Sequence, residues 1–78
     1  MITKKELKSK LLQIKDVSFL LRINDYILLN FFYDEKDNAI GVSNIDYYSP
    51  ADWYEFNEKS IDELVNLTFE NNHELQGA

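Results

Sequence analysis

The sequence predicts a single small α+β domain in which helices pack on a three-stranded antiparallel sheet. Apolar residues recur at helical spacing near both ends of the chain, whereas the middle of the chain alternates between apolar and polar residues as strands do. The 78 residues are enough for one domain. We expect this domain to span residues 1–72 in the order α-β-β-β-α-α, and residues 73–78 to form a flexible tail.

The first helix is predicted over residues 3–15. Thr3 and Glu6 have the spacing of a capping box, in which each side chain accepts a hydrogen bond from the backbone of the other residue. The apolar residues that follow at helical spacing are Leu7, Leu11 and Ile14. They predict one narrow apolar stripe that faces the sheet.

The three strands are predicted over residues 17–23, 26–33 and 39–48. The more apolar faces of the first two strands are Val17, Phe19, Leu21 and Ile23, and Ile27, Leu29, Phe31 and Tyr33. A three-residue loop at 24–26 would place these two faces on the same side of the sheet, so we favour that register. Gly41 within the third strand indicates a bulge or a close backbone approach.

Two helices are predicted after the sheet. The run Ser49-Pro50-Ala51-Asp52 has a capping Ser, a Pro at the first helical position and an acid in the first turn, which predicts a helix ending near Lys59. A further strand over residues 53–56 is the alternative. Ser60 and Glu63 form a second capping-box pattern, which predicts a last helix ending at about Asn71.

The residue content does not favour catalysis, cofactor binding or metal binding. The chain has no Cys, its single His is His73 in the expected tail, and its two glycines form no phosphate-binding loop. The polar run 34–38 lacks the spacing and the Gly of a calcium loop. We therefore predict no catalytic, cofactor-binding or metal-ligating residues and a protein that is not an enzyme.

No stretch is typical of a signal peptide or of a membrane span. The most apolar stretch, 19–33, is interrupted by Arg22, Asn24 and Asp25. The absence of Cys is compatible with the cytosol. We expect a cytoplasmic protein without membrane contact.

Charge is distributed unevenly along the chain. Residues 1–16 hold five lysines against two acids, whereas the part from Asn44 onward holds eight acids against Lys59, and the whole chain has a net charge of −6. Because phosphates would be repelled by most of this surface, direct nucleic-acid binding is not expected. The acids either keep a small domain soluble or form a surface that imitates phosphates and binds a basic, nucleic-acid-handling protein.

The candidate partner-binding residues follow from these features. The acidic surface would consist of Asp46, Asp52, Glu55, Glu58, Asp62, Glu63 and Glu70, with Trp53 and Tyr54 as aromatic anchors beside them. Whether Trp53 and the Tyr47-Tyr48 pair belong to the core or to an interface stays open. A second candidate surface consists of Leu20, Leu28 and Phe32, which lie on the less apolar strand face. They would be core if helices cover both faces of the sheet, and an interface if helices cover only one.

In element order, size and acidity the chain resembles small phage-encoded inhibitors, including the acidic anti-CRISPR proteins that mimic DNA. This resemblance involves no shared motif, so it assigns no site residue. It implies a non-enzymatic inhibitor that mimics nucleic-acid charge and blocks a DNA- or RNA-handling protein. The alternative is a small homodimeric accessory, immunity or regulatory protein that pairs through its apolar sheet face.

Overall fold

The fold is described by a computed structural model, which covers residues 2–46 and 50–76. The helices and strands are α1 (Lys4–Leu12), β1 (Phe19–Asn24), β2 (Ile27–Asp34), β3 (Ala39–Asn44), β4 (Asp52–Glu55), α2 (Glu58–Asn71) and α3 (His73–Gln76). The strands form one antiparallel sheet in the order β1-β2-β3-β4. The predicted α+β class with helices and an antiparallel sheet is confirmed, but the sheet has four strands and not three.

The fourth strand replaces the helix that was predicted from Ser49 to Lys59. Ser49 itself lies outside the described residues, but Asp52–Glu55 pairs with β3 along its whole length. Alternation explains this outcome, because Tyr54 points toward the core while Trp53 points to the opposite face. Pairing with a neighbouring strand therefore outweighs the local helix-start pattern, and the strand that was weighed as the alternative is the one observed.

The N-cap of the last long helix lies three residues earlier than predicted. Asn57 is its N-cap, and the Asn57 side-chain oxygen accepts a hydrogen bond from the Ser60 backbone N–H at 2.8 Å. The prediction that Ser60 caps this helix is therefore wrong, whereas its end at Asn71 agrees with the prediction. Within the segment that was expected to be a tail, α3 forms and Leu75 packs into the core at 5% exposure.

The first hairpin combines the predicted register with an unexpected turn. Phe19 pairs with Phe31 and Leu21 with Leu29, so the two richly apolar faces align as predicted. The register then shifts between Arg22 and Asn24, and Asn24 pairs with Ile27. A two-residue turn with a bulge at Ile23 thus achieves the alignment that we expected from a three-residue loop.

The core lies on one side of the sheet. It is formed by side chains from the helices, the turn after α1 and the covered sheet face: Leu7, Leu11, Ile14, Phe31, Ile40, Ile61, Leu64, Val65, Phe69 and Leu75. The capping box at Thr3 and Glu6 is present and begins α1 as predicted. Because α1, α2 and α3 all contribute to this single cluster, they form one layer on the sheet, and the described residues form two layers.

Candidate interaction surface

The other face of the sheet carries no helix among the described residues. Strand register assigns to this open sheet face four rows of side chains: Arg22 and Leu28; Leu20, Asn30 and Ser43; Phe32, Gly41 and Trp53; Asp34, Ala39 and Glu55. Leu20 is 56% exposed and Trp53 is 53% exposed. None of the apolar side chains in these rows belongs to the core cluster. Leu20, Leu28 and Phe32 therefore occupy the uncovered face.

An aromatic pair lies in the middle of the open sheet face. The rings of Phe32 and Trp53 are 5.4 Å apart between centroids and meet edge to face at 88°. Gly41 lies between them in the register, and a Cβ at this position would overlap the Phe32 ring and lie 3.0 Å from the Trp53 ring. The close approach predicted at Gly41 is therefore present, and without a bulge, because β2 and β3 pair in continuous register there.

One end of the open sheet face combines apolar side chains with an ion pair. Ile45 donates its backbone N–H to the Leu28 carbonyl at 2.9 Å, so the ladder continues for one residue past β3 and Ile45 lies beside Leu28. Ile45 is 50% exposed. Next to it, a guanidinium nitrogen of Arg22 lies 2.7 Å from a carboxylate oxygen of Asp46. Ile45 was not among the predicted surface residues, because the third strand was predicted to continue to residue 48.

The opposite end of the open sheet face is acidic. Asp34 and Glu55 flank Ala39 on either side in the register. The adjoining turn, residues 35–38, adds Glu35 and Asp37 against one lysine, Lys36. The carboxylates at this end have no ion pair with a basic side chain within the described part of the chain.

The acids that were predicted to form one binding surface are distributed over several. Of the predicted acids, only Asp46 and Glu55 border the open sheet face, on which Trp53 also lies. A lysine of α1 binds the first turns of α2: the Lys8 ammonium lies 2.8 Å from Asp62 and 3.5 Å from Glu58. Asp52 and Tyr54 belong to the covered side of β4, whereas Glu63 and Glu70 are on the solvent side of α2. Tyr47 and Tyr48 lie outside the described residues.

The perturbed ionisable groups are explained by structural contacts. The hydrogen bond to Asp62 raises the pKa of Lys8. Burial, followed by the nearby charge of Asp52, raises the pKa of the Tyr54 hydroxyl. Hydrogen bonds from its own backbone and from Asn24 lower the pKa of Glu74, and the Asn24 side-chain nitrogen lies 2.6 Å from the Glu74 carboxylate. The Lys8 and Glu74 shifts belong to contacts that join two elements, whereas the Tyr54 shift arises from burial and from a neighbour on the same strand.

A groove of mixed polar and apolar character lies on the helix side. This groove of about 400 Å³ between α1 and α2 is lined by Lys4, Lys5, Lys8, Asp62, Val65 and Asn66. Its best-placed cation, Lys8, already binds two carboxylates. Among residues 2–46 and 50–76, no group of three or more His, Cys, Asp or Glu side chains is arranged to hold a metal ion.

Comparison of the chain with protein-family models, with curated protein sequences and with solved structures finds no match. Within the described ranges, no helix has the length and apolar character needed to cross a membrane.

Proposed function

We propose that this protein is a non-enzymatic interaction module that binds a partner protein through its open sheet face. One observation carries the proposal: all three helices pack on one side of the sheet, which leaves Leu20, Ile45 and Trp53 at least half exposed on the other. A sheet with an apolar face is ordinarily covered by a second layer on that face. A partner that supplies such a layer would remove these side chains from water.

The composition of the face suits protein recognition. Trp is among the residues most enriched at binding hot spots, and an aromatic ring costs little conformational entropy to hold in place. The Trp53 ring additionally contacts the Phe32 ring edge to face, above Gly41, which has no side chain. Burying these apolar side chains would contribute about 25 cal/mol for each Å² removed from water.

The distribution of carboxylates gives less support to an extended charge mimic. A mimic of the phosphate backbone needs regularly spaced, free carboxylates on one surface. Here Asp62 and Glu58 are bound to Lys8, and Asp46 is bound to Arg22. These ion pairs leave few of the predicted carboxylates free, so the open sheet face is the better-supported binding surface.

The proposal is tested by capturing partners from a lysate of the source organism with tagged variants. Leu20→Asp and Ile45→Asp each place a charge on the open sheet face. Leu12→Asp and Leu67→Asp are matched controls, because these residues are 50% and 40% exposed on the helix layer and the net charge changes equally. We expect a specific partner to be retained by the wild type and both controls and lost by both face variants. Thermal unfolding of each variant verifies that it is folded.

A partner that is lost with the controls and retained by the face variants would assign binding to the helix layer and reject the proposal. Sedimentation of the purified chain runs in parallel. A dimer that dissociates on Leu20→Asp would make a second copy the partner of the same face.

A further inference from the structure

We infer that the occupant of the open sheet face is a basic amphipathic segment of a partner protein, with an apolar side bordered by lysine or arginine. This inference rests on the proposed function, because it identifies the chemistry of the partner at the same face. Two observations carry it: the charge at the border of the face, and the area that the face can bury.

The border of the open sheet face is more negative at one end than at the other. Asp34 and Glu55 lie in the last row, and the adjoining turn contributes Glu35 and Asp37 against Lys36. At the other end, Arg22 and Asp46 neutralise each other at 2.7 Å, and the turn between β1 and β2 contributes Asp25 alone. A partner that covers the apolar rows would therefore be favoured by positive charge, most strongly at the Asp34 end.

The charge balance of the two layers reinforces this polarity. Residues 17–57, which form the sheet and its turns, hold seven acids against two basic residues, whereas residues 1–16 and 58–78 together hold seven acids against six basic residues. On the helix side, Lys8 binds Asp62 and Glu58. The excess negative charge therefore belongs to the sheet and its turns.

A second copy of the chain fits this face poorly. Strands about 4.8 Å apart with about 3.3 Å per residue give a four-stranded face of roughly 20 Å on each side, or roughly 400 Å². A stable interface buries about 800 Å² for each partner. Two copies would also bring together two molecules of charge −6, and within the described ranges neither Asp34 nor Glu55 forms an ion pair that would offset the repulsion. A basic segment avoids this repulsion, and an interface of the size of this face is typical of a weak or transient complex.

The test uses Trp53, the single tryptophan of the chain, as a reporter on the face itself. The purified chain is titrated with a synthetic amphipathic peptide of leucine and lysine, and with its counterpart in which every lysine is glutamate. We expect the lysine peptide to shift the Trp53 emission to shorter wavelength in a saturable manner and to bind at least tenfold more tightly than the glutamate peptide. Leu20→Asp should weaken this binding at least tenfold.

Charge reversal locates the attraction. Asp34→Lys with Glu55→Lys reverses the acidic end of the face, whereas Glu63→Lys with Glu70→Lys makes the same change in net charge on the solvent side of α2. We expect the first pair to lower the affinity for the lysine peptide at least tenfold and the second pair to lower it less than twofold. Equal losses of affinity in both double variants would show that net charge alone causes the attraction, and would overturn the inference.

The remaining outcomes separate this inference from the proposed function. If the lysine and glutamate peptides bound equally and Leu20→Asp weakened the binding of each, the open sheet face would still be a docking surface. A basic occupant would then be rejected. The absence of any Trp53 shift with the lysine peptide would also reject it. Self-association of the chain that is tighter than peptide binding and is lost in Leu20→Asp would make a second copy the occupant.

Discussion

Two adjacent phenylalanines of β2 have opposite roles because their side chains point to opposite faces of the sheet. Phe31 is fully buried and stacks on Phe19 with ring centroids 4.9 Å apart. Phe32 is half-buried and contacts Trp53 outside the core. The position of a residue in the strand, and not its type, therefore decides whether it stabilises the fold or shapes the exposed surface.

This difference can be measured by replacing each phenylalanine with alanine. We expect Phe31→Ala to lower the free energy of unfolding by about 3–5 kcal/mol, because it removes a fully buried ring and leaves a cavity. For Phe32→Ala we expect a loss of about 1–2 kcal/mol, since an aromatic pair contributes about 0.5–1.5 kcal/mol beyond its area. Urea unfolding followed by circular dichroism measures both values. Equal losses would show that the open face contributes to the core.

The start of α2 separates the observed helix from the predicted one. Asn57 caps the helix by accepting the Ser60 N–H at 2.8 Å, whereas Ser60 itself is already inside the helix. We expect Asn57→Ala to lower the free energy of unfolding by about 1 kcal/mol, the usual loss at an N-cap. Ser60→Ala should cost less than about 0.5 kcal/mol, because Ala is a good helix former at an interior position. Urea unfolding measures both losses. A larger loss for Ser60→Ala than for Asn57→Ala would show that Ser60 is the N-cap, as predicted from the sequence.

Elements determined by local patterns were predictable from the sequence. The capping residues of α1 lie three positions apart and interact directly, so the pattern and the structure coincide at Thr3 and Glu6. The register of the first hairpin follows from the need to place Phe19 and Phe31 on one face. Burial of that face determines the pairing even though the turn differs from the expected one.

Elements determined by distant partners were not predictable in this way. The segment at Asp52–Glu55 carries a helix-start pattern, but it becomes a strand because β3 offers a free edge for pairing. The candidate surface has the same origin. Leu20 and Phe32 could be assigned to one strand face from the sequence, but which face the helices cover depends on how α1, α2 and α3 pack together. The binding of Lys8 to Asp62, which divides the acidic set, likewise depends on the contact between two helices.

At the scale of the whole molecule, the excess negative charge lies in the sheet and its turns. Residues 17–57 hold seven acids against two basic residues, whereas residues 1–16 and 58–78 together hold seven acids against six. The acidic end of the open sheet face carries Asp34 and Glu55 without a basic partner among the described residues. A probe on the open face near this end should therefore sense a negative potential. Trp53 lies on the edge strand β4, in the row next to Glu55, and is half exposed to solvent.

Quenching of Trp53 fluorescence measures this potential. Acrylamide is neutral and reports access alone, whereas iodide also senses charge. We expect the ratio of iodide to acrylamide quenching to be lower for the protein than for free N-acetyltryptophanamide, because like charges repel. The ratio should rise toward the free value in 1 M salt, where the screening length falls to about 3 Å. Asp34→Asn with Glu55→Gln should raise it at low salt, whereas Glu63→Gln with Glu70→Gln should not. An equal rise in both pairs would assign the repulsion to net charge, and the uneven distribution of charge would then have no effect at the open face.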